Sequence, residues 1–350
     1  MRNLPGLLAA LSLIVGMFPR VVPAAPSNVA YVSNQGGGVT VIDLDTMQPI
    51  RQVAVGGRGP RGIGITPDGK YLLTANQHTA DVSVIDTSDF KVVKRIHIGK
   101  NPEFMRVLPQ GDQAVVTYEP SSTGGPPSKQ KEHEEEEKGT PAEVAVIDLK
   151  NGTVASHVTG GLETEGIEFS PHDHYMAVAN EGNDTLGVYD LASWKLIRTV
   201  DLHGYGHRPR GIKISPDGQR YVVTMENSNN FLVLDRDFKV LKSVPTATGP
   251  YGVTFDADGK RIFISAARAK LLQVFDAHSY APLAKVAVGK RCWHFSFTPQ
   301  GTQLLAACGR SNNVYVIDTQ TYKTTKVIPG FKLPWGIVTF PKSYGSLDAP

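Results

Sequence analysis

The sequence predicts an all-β protein, a seven-bladed β-propeller with four strands in each blade, built from one chain of 350 residues. Aspartates that end a short apolar run recur every 41 to 45 residues, apart from one interval of 62. They are Asp43, Asp86, Asp148, Asp190, Asp235, Asp276 and Asp318. Tight-turn motifs such as Pro67-Asp68-Gly69 recur in the same rhythm. A repeat of about 40 to 45 residues with four short strands is typical of a propeller blade.

Each repeat contains four runs of strand length that are rich in Val, Ile, Leu or Tyr and are bounded by turn residues. The clearest repeat predicts strand A at Arg61–Thr66, B at Tyr71–Asn76, C at Val82–Asp86 and D at Val92–Ile98. One four-stranded sheet cannot bury both of its faces. A closed ring, in which each blade packs on two neighbours, solves this problem.

The two ends of the chain complement each other. Residues 28–55 contain strands B, C and D without a strand A, and residues 335–340 form a strand A with nothing after it. Together they predict one composite blade that closes the ring beside six intact blades. We expect a single propeller domain over residues 25–350.

Residues 1–24 have the pattern of a secretory signal peptide. Arg2 precedes an apolar stretch over residues 4–18, and Val22 and Ala24 satisfy the small-residue rule for cleavage. The apolar stretch is short for a membrane span, and an uncleaved anchor is the alternative. We therefore expect an exported, periplasmic protein with no membrane span in the mature chain.

The interval of 62 residues locates an insertion at 119–141, in the B–C loop of one blade. Five glutamates lie between Lys131 and Lys138, around His133. This composition cannot form a core, so a flexible acidic loop is predicted. Binding of a cation is the alternative, although no rigid framework fixes the geometry of its ligands.

Composition and motifs exclude several classes of function. With 36 basic and 33 acidic residues, the chain has no excess charge for binding nucleic acid. Two cysteines cannot form a four-cysteine zinc site, and no CxxCH motif is present for covalent haem. The GxSxG, HExxH and P-loop motifs are also absent.

The first residue of each strand A is expected to lie nearest the central channel, on the face that carries the D–A and B–C loops. In chain order these residues are Arg61, Glu103, Glu165, Arg210, Tyr251, Trp293 and Trp335. The B–C loops add His78, Glu226, Arg268 and Arg310 as candidate ligand-binding residues. One arc of this opening is predicted to be charged and the other aromatic.

Two interpretations explain this composition. A small anionic or planar ligand could bind there, with Arg61 and Arg210 holding carboxylates and the tryptophan rings providing stacking surfaces. Alternatively, the arginines pair with the glutamates and the aromatic side chains plug the channel.

Two further pairs of residues have informative spacing. His203 and His207 are spaced as a metal-binding pair, but the sequence indicates no third ligand, so no metal is predicted. Cys292 and Cys308 are expected to face each other across strands A and B, because a register that pairs Thr298 with Thr302 places them opposite. In an oxidising compartment this predicts a disulfide, with two free buried thiols as the alternative. A one-residue bulge would separate the two side chains.

Several motifs resemble the YVTN-repeat (YncE-like) family of exported seven-bladed propellers. They are Tyr31-Val32-Ser33-Asn34, Val41-Ile42-Asp43, Gly59-Pro60-Arg61-Gly62-Ile63 and Ser215-Pro216-Asp217-Gly218. More narrowly, Asn101-Pro102-Glu103-Phe104 and Leu333-Pro334-Trp335-Gly336 are similar to propellers associated with pyrroloquinoline-quinone-dependent alcohol oxidation. The resemblance implies the fold and makes pyrroloquinoline quinone a candidate cofactor. It supplies no catalytic residues.

These observations favour a non-catalytic binding or scaffold propeller, accessory to a periplasmic quinoprotein redox system. Its partner would be a periplasmic protein or a small anionic or planar ligand on the D–A/B–C face, and a monomer is expected. The alternative, by fold analogy, is a lactonase-like hydrolase or a subunit of a quinone-linked dehydrogenase. In that case Glu103 or Glu165 would be the general base, and Arg61 or Arg210 would stabilise the oxyanion.

Overall fold

The computed structural model describes residues 27–119, 140–170 and 174–348. Within these ranges the chain forms 28 β-strands and one 3-10 helix at Gly309–Ser311, which confirms the all-β prediction. The predicted signal peptide, almost all of the insertion and the turn at 171–173 lie outside the described residues. Among the described residues, no helix has the length and apolar character needed to cross a membrane.

The strands form seven antiparallel sheets of four strands each. Strands B to D of blade 1 are β1 (Val29–Asn34), β2 (Val39–Asp43) and β3 (Gln48–Val53). Blade 2 has β4 (Pro60–Ile65), β5 (Tyr71–Asn76), β6 (Asp81–Asp86) and β7 (Val92–His97). Blade 3 has β8 (Pro102–Val107), β9 (Gln113–Tyr118), β10 (Glu143–Asp148) and β11 (Thr153–Thr159). Blade 4 has β12 (Thr164–Phe169), β13 (Tyr175–Asn180), β14 (Thr185–Asp190) and β15 (Leu196–Asp201).

The remaining strands complete the ring. Blade 5 has β16 (Pro209–Ile214), β17 (Arg220–Met225), β18 (Asn230–Asp235) and β19 (Val240–Pro245). Blade 6 has β20 (Pro250–Phe255), β21 (Arg261–Ala266), β22 (Leu271–Asp276) and β23 (Pro282–Ala287). Blade 7 has β24 (Cys292–Phe297), β25 (Gln303–Cys308), β26 (Asn313–Asp318) and β27 (Lys323–Pro329). Strand A of blade 1 is β28 (Pro334–Phe340).

The predicted seven-bladed ring and its closure are confirmed. Strand β28 pairs with β1 in the antiparallel register that places Val338 opposite Tyr31. The inner strands are buried on both faces because neighbouring blades cover them, whereas outer strands such as β3 and β7 are largely exposed. The apolar side chains therefore form layers between adjacent blades.

The predicted register of blade 7 is wrong by one residue near its turn, where Phe297 pairs with Leu304 instead of Gln303. A bulge at Trp293 then shifts the register and places Cys292 opposite Cys308, where the two form a disulfide. A bulge was expected to separate the two cysteines, but here it brings them opposite each other. The same irregularity recurs near the start of strand A in other blades.

Removing this disulfide is expected to lower the free energy of unfolding by about 3 kcal/mol. The two cysteines are 16 residues apart, so the bond restricts a short loop in the unfolded chain. The variant Cys292→Ala/Cys308→Ala is compared with the wild type by urea unfolding. Wild type unfolded in the presence of a reductant serves as the control and should behave like the variant. Equal unfolding midpoints for variant and oxidised wild type would contradict the prediction.

The segment after β28 turns back into the channel from the face that carries the A–B turns. Ser346 N donates to the carbonyl of Phe295 at 2.9 Å, and Leu347 is buried in the same core cluster as Trp335. Beside this segment, Lys213 contacts both Glu168 and the carbonyl of Asp348. The C-terminal segment therefore packs into the channel from this side.

Candidate functional site

The candidate site is the channel mouth, the opening of the central channel among the D–A and B–C loops. In all seven blades the residue before strand A has a positive φ angle; these residues are Gly59, Asn101, Glu163, Arg208, Gly249, Arg291 and Leu333. In six blades its carbonyl accepts a hydrogen bond from the N–H of the residue that follows strand B, as in the pairs Glu163 with Glu181 and Arg208 with Glu226. Each blade thus places three side chains at the mouth: the residue before strand A, the residue near the start of strand A that the sequence analysis singled out, and the residue after strand B.

Charged residues occupy many of these positions, and their signs are segregated. Blades 3 and 4 contribute five glutamates at these positions, beside Asn101: Glu103, Glu119, Glu163, Glu165 and Glu181. Blades 5 to 7 contribute arginines from their D–A and B–C loops and from strand A: Arg208, Arg210, Arg268, Arg291 and Arg310. The B–C loops of blades 5 to 7 supply one carboxylate to this group of arginines, that of Glu226 in blade 5. The mouth therefore has an acidic arc and a basic arc.

Two of the predicted arginines are paired with predicted glutamates of the next or preceding blade. Arg61 forms an ion pair with Glu103, and Arg210 forms one with Glu165. Tyr251 Oη donates to Glu165, and the Arg210 guanidinium lies 4.7 Å from the centroid of the Tyr251 ring. For these residues the geometry agrees with mutual pairing. A ligand-binding role for them stays a prediction.

Glu226 is the centre of the basic arc. Its carboxylate lies 2.7 Å from Arg210 Nε, 3.0 Å from Arg268 Nη2, 3.4 Å from Arg291 Nη1 and 3.5 Å from Arg208 Nε. Burial alone would raise its pKa, but the charges of Arg210, Arg208 and Arg268 lower the pKa of Glu226 to about 2. Glu226 is thus ionised at every pH at which the protein would function.

An aromatic layer closes the channel below the charged residues. The His294 ring lies 4.3 Å from Trp335, 5.4 Å from Tyr251 and 5.7 Å from Phe104, measured between centroids. Trp335 is only 2% exposed, so it offers no free ring face. A stacking role of Trp335 toward a ligand stays a prediction. Phe104 of blade 3 and His294 of blade 7 meet across the ring, and the sequence does not reveal this contact.

Phe104 and His294 occupy the strand A position at which the other blades have glycine, so their side chains extend into the channel. At the equivalent Gly166, a Cβ atom would lie 2.1 Å from the carbonyl oxygen of Arg210 in the next blade. The close approach of adjacent strands A therefore requires glycine there. Burial, together with the charges of Arg210 and Lys213, lowers the pKa of His294 well below its usual value. His294 is a neutral part of the channel filling.

The other predicted residues lie at the rim. His78, Arg268 and Arg310 are exposed in B–C loops, and Trp293 is half-buried against Gly309. Sequence reasoning missed Glu119, Glu163, Glu181, Arg208 and Arg291. They occupy the positions directly before strand A or directly after strand B. Scoring these two positions in every repeat would have found them.

The arrangement of the blades now permits comparison with known proteins. A family model described as lactonase, seven-bladed β-propeller, matches residues 24–92 and 133–247, which is more than half of the chain. The chain belongs to this lactonase propeller family. The narrower resemblance to propellers associated with pyrroloquinoline quinone stays a prediction.

Several curated proteins are similar to this lactonase-family propeller. Protein NirF of Stutzerimonas stutzeri is 23% identical over 344 residues, covering 91% of this chain and 81% of NirF. Hydrazine synthase subunit beta of Kuenenia stuttgartiensis is 24% identical, covering 80% of this chain and 59% of that protein. Dihydro-heme d1 dehydrogenase of Pseudomonas aeruginosa is 23% identical, covering 86% of this chain and 60% of that enzyme. The chain thus spans about three fifths of the last two relatives.

Two solved structures show the same fold. Hydrazine synthase of Kuenenia stuttgartiensis superposes with a TM-score of 0.71 at 21% identity, covering 88% of this chain and 99% of that chain. The periplasmic gluconolactonase of Pseudomonas aeruginosa superposes with a TM-score of 0.69 at 17% identity, covering 89% and 98%. At these identities the likeness concerns the fold alone.

Proposed function

We propose that this lactonase-family propeller is an exported binding protein that takes a small molecule with two or more carboxylates at the channel mouth. The observation that carries the proposal is the basic arc. Arg268, Arg291 and Arg310 belong to its rim, and Glu226 is the carboxylate that the first two share. A bound polycarboxylate would supply the negative charge that this arc lacks.

The electrostatics of Arg291 support this proposal. Burial lowers the pKa of Arg291, and the charges of Arg268, Arg310 and Arg210 lower it further, while Glu226 acts in the opposite direction. The neighbouring positive charges repel that of Arg291, and an anion would relieve this repulsion. Guanidinium groups also bind carboxylates with two parallel hydrogen bonds, which gives geometric selectivity.

The ligand class is consistent with the relatives, whose names refer to lactonases and to a dehydrogenase of dihydro-heme d1. The signal-peptide pattern of residues 1–24 supports export. Pyrroloquinoline quinone carries several carboxylates and remains a candidate, as does a carboxylated tetrapyrrole. Because Trp335 is buried, we expect recognition through carboxylates and not through stacking on that ring.

The test is isothermal titration of the purified protein with citrate, pyrroloquinoline quinone and haem. We expect at least one of them to bind, and Arg268→Ala or Arg291→Ala to weaken that binding by about tenfold or more, since a hydrogen bond to a charged group is lost. Arg220→Ala is the matched control, because this exposed arginine begins strand β17 beside an A–B turn, on the opposite face. Affinities that are equal in all three variants would contradict the proposal.

A second candidate function is lactone hydrolysis. Burial raises the pKa of Glu119 well above its usual range, and the neighbouring Glu103 and Glu163 raise it further. A carboxylic acid with a raised pKa is suited to general acid catalysis. The earlier candidates are less suitable, since Glu103 and Glu165 are already paired with Arg61 and Arg210. Turnover of gluconolactones by the same preparations, lost in Glu119→Gln, would favour the enzyme over the binding protein.

A further inference from the structure

Two loops, one between strands B and C and one between strands D and A, bring together three potential metal ligands at the edge of the mouth. Asp184 lies in the B–C loop of blade 4, while His203 and His207 lie in the D–A loop that leads to blade 5. One ligand atom from each residue lies within 4.8 Å of the other two. Among the described residues, this is the one group of three or more histidine, cysteine or acidic side chains with that property.

The distances are close to those of a tetrahedral metal site. His203 Nδ1 lies 3.3 Å from Asp184 Oδ2, and His207 Nδ1 lies 2.6 Å from the same oxygen. In a tetrahedral zinc site with bonds of about 2.0–2.1 Å, neighbouring ligand atoms lie roughly 3.3 Å apart. The first distance already matches. The second is a hydrogen bond that a small movement of the exposed His207 ring would open for an ion.

Neighbouring groups hold each ligand in place. Asp184 Oδ1 accepts a hydrogen bond of 2.6 Å from the backbone N–H of Arg208, which leaves Oδ2 directed to the histidines. The backbone N–H of His207 donates to Ser228 Oγ at 2.8 Å, and that of His203 donates to Asp201 at 2.9 Å. Such outer contacts are what orient the ligands in metal sites.

The charge and exposure of the group also favour a metal. The Asp184 side chain is 13% exposed, whereas those of His203 and His207 are 73% and 56% exposed. The carboxylate is therefore fixed, and the imidazoles remain accessible to an ion from solvent. Two imidazoles and one carboxylate select zinc-like transition-metal ions over magnesium or calcium, which prefer oxygen ligands alone.

We propose that Asp184, His203 and His207 bind one divalent transition-metal ion of the zinc class, with water or an added ligand at a fourth position. This metal site lies beside the mouth, because Arg208 contacts both. The backbone N–H of Arg208 donates a hydrogen bond to Asp184, and its guanidinium forms ion pairs with Glu163 at 3.0 Å and Glu181 at 2.8 Å. The inference is independent of the anion site, because its ligands lie outside the basic arc.

The experiment is calorimetric titration of the tag-free protein with Zn²⁺, with Co²⁺ absorption as a second probe of tetrahedral coordination. We expect one ion per chain, and His203→Ala, His207→Ala and Asp184→Asn should each weaken binding by more than about tenfold. Thermal unfolding in the presence of EDTA shows whether each variant remains folded.

Two control variants separate this site from other histidines. His278→Ala removes an exposed imidazole between strands C and D on the opposite face, and His133→Ala removes the one in the acidic insertion. Both should bind Zn²⁺ like the wild type. The proposal is overturned if the wild type binds no Zn²⁺, or if binding is lost in His133→Ala but kept in the His203 and His207 variants.

Discussion

A chain that lacks residues 334–350 is expected to lose cooperative folding altogether. The deletion removes strand β28 and with it the hydrogen bonds that close the ring on β1. It also removes Trp335, Ile337, Val338 and Leu347, each no more than 2% exposed. Full burial of such side chains contributes about 1.5–3 kcal/mol each, so the loss approaches the roughly 5–15 kcal/mol that stabilises a typical domain.

Circular dichroism during thermal unfolding would measure this effect. The control is a chain that ends at residue 348, which keeps every described residue and should unfold like the wild type. A synthetic peptide of residues 330–348, added to the truncated chain, should restore part of the transition because closure is non-covalent. A truncated chain that unfolds cooperatively at the wild-type temperature would show that the open ring is stable by itself.

The variant Glu226→Gln is expected to lose about 3–5 kcal/mol of stability at neutral pH. Glutamine preserves the volume of the side chain but removes the charge that Arg208, Arg210, Arg268 and Arg291 share. Glu226 itself is 2% exposed, so water cannot replace the lost interaction. Chemical unfolding in urea measures the difference.

The effect of Glu226→Gln should depend on pH in a defined direction. The pKa of Glu226 in the folded protein is about 2, below its ordinary value of 4.5. The charge therefore stabilises the protein fully above about pH 4.5, and this contribution is lost as the pH falls toward 2. The shift corresponds to about 3 kcal/mol. The stability difference between wild type and variant should shrink over this window.

Glu163→Gln provides the matched control for this experiment. Glu163 also contacts Arg208, at 3.0 Å, but its side chain is 27% exposed. Partly exposed ion pairs contribute about 1 kcal/mol or less, so this variant should be nearly as stable as the wild type. Equal losses of stability in both variants would mean that the buried ion pairs of Glu226 contribute no more than the partly exposed pair of Glu163.

The strands of the blades were predictable because their determinants are local and repeated. Strand B at Tyr71–Asn76 was predicted with its observed bounds, and strand A of the same blade, Pro60–Ile65, begins one residue before the prediction. Apolar runs and tight turns specify each strand within a few residues. Because the pattern occurs in seven repeats, an uncertain strand boundary in one repeat can be placed by comparison with the others. Ring closure followed from the two incomplete ends of the chain.

The composition of the mouth was predictable only in part. The first residues of strand A were expected at the channel, and Arg61, Glu103, Glu165 and Arg210 do lie in its ion pairs. Glu181 was missed because the position directly after strand B was not scored, although the hydrogen bond from Glu181 N–H to the carbonyl of Glu163 recurs at the equivalent positions of other blades. A one-residue bulge was considered in this hairpin, but its position at Trp293 and its effect on the disulfide register were not predicted.

The sequence by itself determined the number of blades, their strand order, the closure of the ring and the face on which charged residues gather. These properties depend on neighbours within a few residues and on a repeated period. Only the tertiary structure decided which charges pair across blades, that Phe104 and His294 meet in the channel, and that Asp184 joins His203 and His207. Those contacts join residues from different strands or opposite blades, so they depend on how the whole ring packs and not on any local pattern.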